Sequence, residues 1–116
     1  MAPAGRSPGR SQGIIETARM NVIFSDGAKR DFNEGLRWYR KQSDQAADNF
    51  IKRTLETAER VVADPARYRQ ILPGIRTLRY KRYPYSLIYR ILPDLIKVYA
   101  IAHDKRRPGY WKRRLN

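Results

Sequence analysis

Apolar and polar positions alternate most regularly between Tyr80 and Trp111, and two consecutive stretches there read as strands. Tyr85-Ser-Leu-Ile-Tyr-Arg-Ile-Leu92 and Leu95-Ile-Lys-Val-Tyr-Ala-Ile-Ala102 are rich in β-branched and aromatic residues, and Pro93-Asp94 supplies a turn between them. In the second stretch Ile96, Val98, Ala100 and Ala102 fall on one wholly apolar face, with Lys97, Tyr99, Ile101 and His103 on the other. In the first, Leu87, Tyr89 and Ile91 alternate with Ser86, Ile88 and Arg90. One face of this sheet is therefore expected to be core, and the other amphipathic and partly open. The small side chains of Ala100 and Ala102 would let a covering helix approach closely.

The upstream segments supply that cover. Asn21-Val-Ile-Phe24 is a short β-rich run, and Ser25-Asp26-Gly27 breaks it and offers an N-cap. From Ala28 to about Lys41, Phe32, Leu36 and Tyr39 recur at helical spacing. Gly35 lowers helix propensity there but permits close packing. Ser43 or Asp44 caps a second helix, whose apolar stripe is Ala47, Phe50, Ile51, Leu55, Ala58, Val61 and Val62. Asp64-Pro65 ends it, because the residue before proline is pushed out of helical backbone. So few residues separate the two helices that they should form an antiparallel hairpin. Ala66 to Gly74 reads as a loop with the turn signal Pro73-Gly74, Ile75 to Tyr80 as a strand, and Lys81 to Pro84 as a link. The sum is an α+β domain: an N-terminal strand, an antiparallel two-helix hairpin and a three-stranded antiparallel meander.

Residues 1–19 carry too few large apolar side chains to offset the entropy of ordering, so a flexible leader is expected there, with Met20 as an alternative start. Residues 20–116 then make one domain, a length that sustains a single core. The chain has no cysteine and one histidine, which excludes a disulfide framework, a thiolate nucleophile and a Cys/His zinc site. Neither a metal nor a cofactor is expected. No apolar run approaches the roughly 20 residues of a membrane span, so no membrane partner is expected either.

Charge changes the picture more than any other compositional feature. Lys and Arg number 25 against 11 Asp and Glu, a net charge of +14. Residues 1–65 carry 11 basic and 9 acidic side chains, whereas residues 66–116 carry 14 and 2. The excess lies in the half that contains the sheet, which points to a polyanionic partner: nucleic acid, a ribosome or an acidic protein segment.

The open face and tail together hold Arg90, Lys97, Tyr99, His103, Lys105, Arg106, Arg107, Tyr110 and Trp111. Cations interleaved with aromatics suit single-stranded nucleic acid, since cations neutralise phosphates and flat rings stack on bases. The same set suits metal-free phosphodiester cleavage, with Arg or Lys stabilising charge on phosphorus and His or Tyr moving protons. Each residue also has a plain structural role open to it. His103 at a strand end can be a simple hydrogen-bonder, Arg106 and Arg107 can dock an acidic partner, and Tyr110-Trp111 can fold back as a hydrophobic clasp. Paired acids and a glycine-rich phosphate loop are absent, so two-metal and nucleotide chemistry have no support.

From Val22 to about Arg114 the chain resembles the RelE/ParE superfamily of toxins from type II toxin–antitoxin modules. The residues that carry the likeness are Gly74-Ile-Arg76, Tyr83-Pro-Tyr-Ser-Leu-Ile-Tyr-Arg-Ile-Leu92, Ile96-Lys-Val-Tyr-Ala-Ile-Ala-His103 and Arg106-Arg-Pro-Gly-Tyr-Trp111, which look like the plasmid-stabilisation, ParE-like branch. The resemblance implies a cytoplasmic bacterial toxin of β-α-α-β-β-β fold, neutralised by a cognate antitoxin whose acidic segment meets Arg106 and Arg107. ParE-like members poison DNA gyrase; RelE-like members cut mRNA on the ribosome without a metal. If this chain cuts RNA, the implied catalytic residues are Arg90, His103, Arg106, Arg107 and Tyr110. Target or antitoxin binding would fall to Arg76, Lys97, Lys105, Arg106, Arg107, Trp111, Lys112 and Arg113. RelE-like toxins carry an arginine after the tyrosine that starts the third strand, and here Ser86 holds that place, which favours the gyrase-directed activity. A nucleic-acid-binding module without toxicity is the third reading.

Overall fold

The computed structural model describes residues 21–115, so the leader expected over residues 1–19 lies outside the described residues. In chain order the elements are β1 (Asn21–Phe24), α1 (Asp26–Gln42), α2 (Asp44–Ala63), a 3-10 turn (Pro65–Arg67), β2 (Gln70–Leu72), β3 (Ile75–Arg79), β4 (Tyr85–Ile91), β5 (Leu95–His103) and a second 3-10 turn (Lys112–Leu115). They form one five-stranded sheet in the order β1-β5-β4-β3-β2. The expected meander β3-β4-β5 is antiparallel, while β1 joins β5 in parallel. A parallel pair cannot be closed by a tight turn, and here the connection from β1 to β5 runs through both helices and strands β2, β3 and β4.

Local chemistry sets the helix boundaries as the sequence indicates. Ser25 Oγ accepts from the Ala28 N–H at 3.1 Å and Ser43 Oγ from the Ala46 N–H at 2.9 Å, so each helix has a hydroxyl N-cap. The apolar faces of the hairpin then pack on one side of the sheet. Phe50 and Val61 meet Leu78, Tyr80, Leu87, Tyr89, Ile96, Val98 and Ile101, with Phe32, Leu36 and Tyr39 packed against them. A Cβ at Gly35 would stand 2.8 Å from the Phe50 ring, so the close packing that this glycine permits is used.

Two expectations need correction. The segment expected as loop from Ala66 to Gly74 contains the edge strand β2, which pairs antiparallel with β3 through Gln70↔Arg76 and Leu72↔Ile75. More consequentially, Ile96, Val98, Ala100 and Ala102 do not share one face. Ile88 pairs with Ala100 but Tyr89 with Val98, so Tyr99 is an extra residue, a β-bulge that inverts the alternation beyond it. Ile101, 2% exposed, joins Ile96 and Val98 under the hairpin. Ala100 and Ala102 face the other side, where Ile75, Ile88 and Trp111 form a second small core. The expected helix-facing role of the two alanines is thus replaced by contact with the C-terminal segment.

Candidate functional site

The chain after β5 turns sharply and lies back against the sheet. Asp104 N–H donates to Pro84 O at 2.9 Å, Arg106 N–H to His103 O at 3.0 Å and Tyr110 N–H to Arg107 O at 3.2 Å. Gly109 takes φ of +76°, a left-handed turn conformation that glycine adopts without strain. The turns bring Trp111 down onto Ile75, Ile88 and Ala100. Between this returning segment and the sheet runs a cleft of about 290 Å³, lined among others by Thr77, Ser86, His103, Arg106, Arg107 and Tyr110. On the hairpin side of His103 and Arg106 lies a wider groove of about 620 Å³, walled by Trp38, Tyr39, Tyr85 and Ile101.

His103, Arg106, Arg107 and Tyr110 therefore do converge. Their partners determine what they can do. His103 Nδ1 accepts from the Lys105 N–H at 2.9 Å, which leaves Nε2 to carry the proton of the neutral ring. Its ring stands edge-on to Tyr85 with centroids 4.8 Å apart. The Arg106 guanidinium lies 3.9 Å from the Tyr110 ring centroid, and its Nη1 is 3.5 Å from Glu34 and 4.0 Å from Asp31. Tyr110 donates its hydroxyl to Asp31 Oδ2 at 2.9 Å, and burial followed by the Asp31 charge pushes its pKa well above the ordinary tyrosine range. A phenol held this way is a poor proton donor at neutral pH. At the rim Arg79 and Asp104 pair at 2.8 Å, and the hydrogen bond from Arg79 holds the Asp104 carboxyl below its usual value.

The other candidates lie elsewhere. Arg90 and Lys97 are cross-strand partners near the opposite ends of β4 and β5 from His103. His103 lies six positions along the strand from Lys97, about 20 Å at roughly 3.3 Å per residue. Lys97 caps the Tyr99 ring at 5.1 Å. Arg76 donates to Ala66 O at 3.0 Å and Tyr68 O at 2.6 Å, tying down the turn after α2. Trp111, 6% exposed, is core rather than contact surface, which corrects its place among the binding residues. Lys105, Arg107, Lys112 and Arg113 are exposed, and with half-exposed Arg106 they make a cationic rim along the returning segment.

Sequence reasoning missed Asp31, which is 5% exposed and accepts from Ile101 N–H, Tyr110 and Arg114. A signal was available: buried Ala28, Asp31 and Gly35 fall on one helix stripe, and a carboxylate on such a stripe requires partners. Among the described residues no group of three or more His, Cys, Asp or Glu is placed to hold a metal ion, and no helix is long and apolar enough to cross a membrane.

The profile of the family described as the ParE toxin of the type II toxin–antitoxin system parDE matches residues 22–108. The chain belongs to this family. It is the toxin component of a type II toxin–antitoxin system, and its partner is a cognate antitoxin. No curated protein sequence matches it. Among solved structures, a chain of the chromosomal ParDE system of P. aeruginosa superposes with a TM-score of 0.65 at 19% identity, covering 75% of this chain and 98% of that one. The E. coli toxin RelE, an arginine-to-alanine double mutant in the free state, superposes at 0.52 with 16% identity, covering 84% of this chain and 99% of that one. At these identities the likeness is one of fold, and it agrees with the strand, helix-hairpin and sheet order derived above.

Proposed function

We propose that this ParE-family toxin acts in the cytoplasm by binding DNA gyrase through its C-terminal cationic rim, and that an acidic segment of its antitoxin neutralises it by covering the same rim. The observation that carries this reading is the division of the tail into held and free groups. Tyr110 and Trp111 are used to fix the segment, while Lys105, Arg107, Lys112 and Arg113 remain exposed. Exposed cations of one sign steer and orient an acidic surface, for which no proton transfer is needed.

A metal-free, ribosome-dependent nuclease is the second reading, favoured by the convergence of His103, Arg106 and Arg107 on one cleft. Its chemistry is weakened at three points. Ser86 lines the cleft where the resemblance would place an arginine, Arg90 is far from it, and Tyr110 is bonded to a carboxylate. A hydroxyl at Ser86 cannot neutralise charge developing on a phosphate.

Induced expression in a bacterium that lacks the antitoxin separates these readings, with messages mapped by primer extension and plasmid supercoiling followed in parallel. Intact messages with altered supercoiling or DNA breaks are expected. Cuts positioned by codon in translated messages would transfer the assignment to the nuclease, and unimpaired growth would leave only a binding module.

A further inference from the structure

We infer that Asp31 is a positioning residue for toxicity: from α1 it latches the C-terminal segment against the sheet and so aims the exposed cations. The inference rests on the reading that this segment carries the toxin's contact with its target.

The carboxylate is almost fully enclosed, and all its partners come from residue 101 onward. Oδ2 accepts from the Ile101 N–H at 3.0 Å, from the Tyr110 hydroxyl at 2.9 Å and from Arg114 Nη1 at 2.8 Å, while Oδ1 accepts from Arg114 Nη2 at 3.2 Å. The Arg114 contact is a two-point, charge-assisted pair, the geometry that fixes a guanidinium in orientation as well as in distance. Arg114 also donates to Tyr99 O at 3.0 Å, beside the bulge. Its side chain crosses the first turn of α1 over Gly27, where a Cβ would stand 2.7 Å from Nε. The latch thus has a site built for it: a glycine for passage, a buried acid for the charge and a bulge carbonyl for the remaining donor.

Asp31 adds no contact surface of its own, since its side chain is 3% exposed. Its effect passes through Arg114 and Tyr110, the two residues that flank the exposed pair Lys112 and Arg113. Apart from the latch, the end of the segment is pinned by apolar contact of Trp111 and Leu115 with the second core. Apolar contact holds the segment down without fixing the direction in which its cations point, because it is non-directional.

Two variants of the full chain, purified with the antitoxin and then separated from it, test the latch. Asp31→Asn keeps the size and removes the charge. Gly27→Ala leaves Asp31 intact, raises helix propensity and obstructs Arg114 from the opposite side. Amide hydrogen exchange of Tyr110–Leu115 should quicken at least about tenfold in each, the scale of one lost charge-assisted hydrogen bond, while amides of α2 and β4 exchange as in the parent. The concentration that half-inhibits gyrase supercoiling should rise by a similar factor. A parent chain without effect on gyrase refutes the target reading alone; growth inhibition then replaces supercoiling as the readout, and the exchange arm stands unchanged. Should Asp31→Asn fail to fold, Gly27→Ala decides. Unchanged exchange at the tail, or a freed tail with undiminished inhibition, overturns the inference.

Discussion

Tyr80, just past the end of β3, donates its hydroxyl to Thr54 Oγ1 on α2 at 2.9 Å, in a site closed to solvent. Thr54 in turn donates to Phe50 O at 2.9 Å, so the pair is one continuous chain of donors and acceptors joining the hairpin to the sheet. Burial raises the pKa of Tyr80 far above the ordinary tyrosine value.

That burial gives stability a steep alkaline edge. Desolvation also pushes Tyr85 and Tyr89 up to about 12, and raises Tyr110 further. Above about pH 10 the unfolded chain releases tyrosine protons that the native chain retains, so the native state binds more protons and loses stability as pH rises. The contribution is complete below about pH 10 and is lost progressively above it. Urea unfolding at a series of pH values should show a flat midpoint up to that point and a fall beyond it. Tyr80→Phe should lower stability by about 1 kcal/mol at neutral pH and make the alkaline fall shallower.

The two tryptophans should report opposite environments. Trp38 is 56% exposed on α1 and Trp111 is 6% exposed against Ile75, Ile88 and Ala100. Trp38→Phe should leave a blue-shifted emission resistant to acrylamide quenching. Trp111→Ala should remove that emission and cost about 3–5 kcal/mol. A quenchable Trp111 would restore it to the contact surface.

The features legible in the sequence were those written locally. Caps at Ser25 and Ser43, the proline stop at Pro65 and the period-two runs all act within a few residues, and each placed its element within two residues of the observed bounds. The bulge was hidden because both registers of β5 beyond Tyr99 are apolar: Ala100 and Ala102 look as core-like as Ile101. Strand β2 escaped because three residues before a Pro-Gly turn carry no period. At the site, the cations were visible as a charge excess, but the bonds that divide them into held and free groups span as many as 83 residues. No local pattern encodes a partner at that separation.

The bulge makes neighbouring residues of β5 unequal in a way that regular alternation would not. Ile101→Ala opens a cavity beneath the hairpin and should cost about 2–5 kcal/mol, measured by chemical denaturation. Ala102→Ser, at the half-buried wall of the cleft, should stay within about 0.5 kcal/mol of the parent. Equal costs would mean that Ala102 and Ile101 are not on opposite faces.

The spatial split between the tail cations and the Arg90–Lys97 pair predicts a split in electrostatics. If the antitoxin's acidic segment covers the cationic rim, reversing Arg107 or Arg113 to Glu should slow association and reduce its dependence on salt, because opposite charges across an interface act chiefly on the encounter rate. Arg90→Glu and Lys97→Glu lower the net charge by the same amount at the far end of the sheet and should change the rate far less. Near 1 M salt the four variants should converge, since the screening length there is only about 3 Å. Stopped-flow association of toxin and antitoxin at several salt concentrations measures all of this directly. Identical slowing in all four variants would assign the effect to net charge and remove the rim from the antitoxin interface.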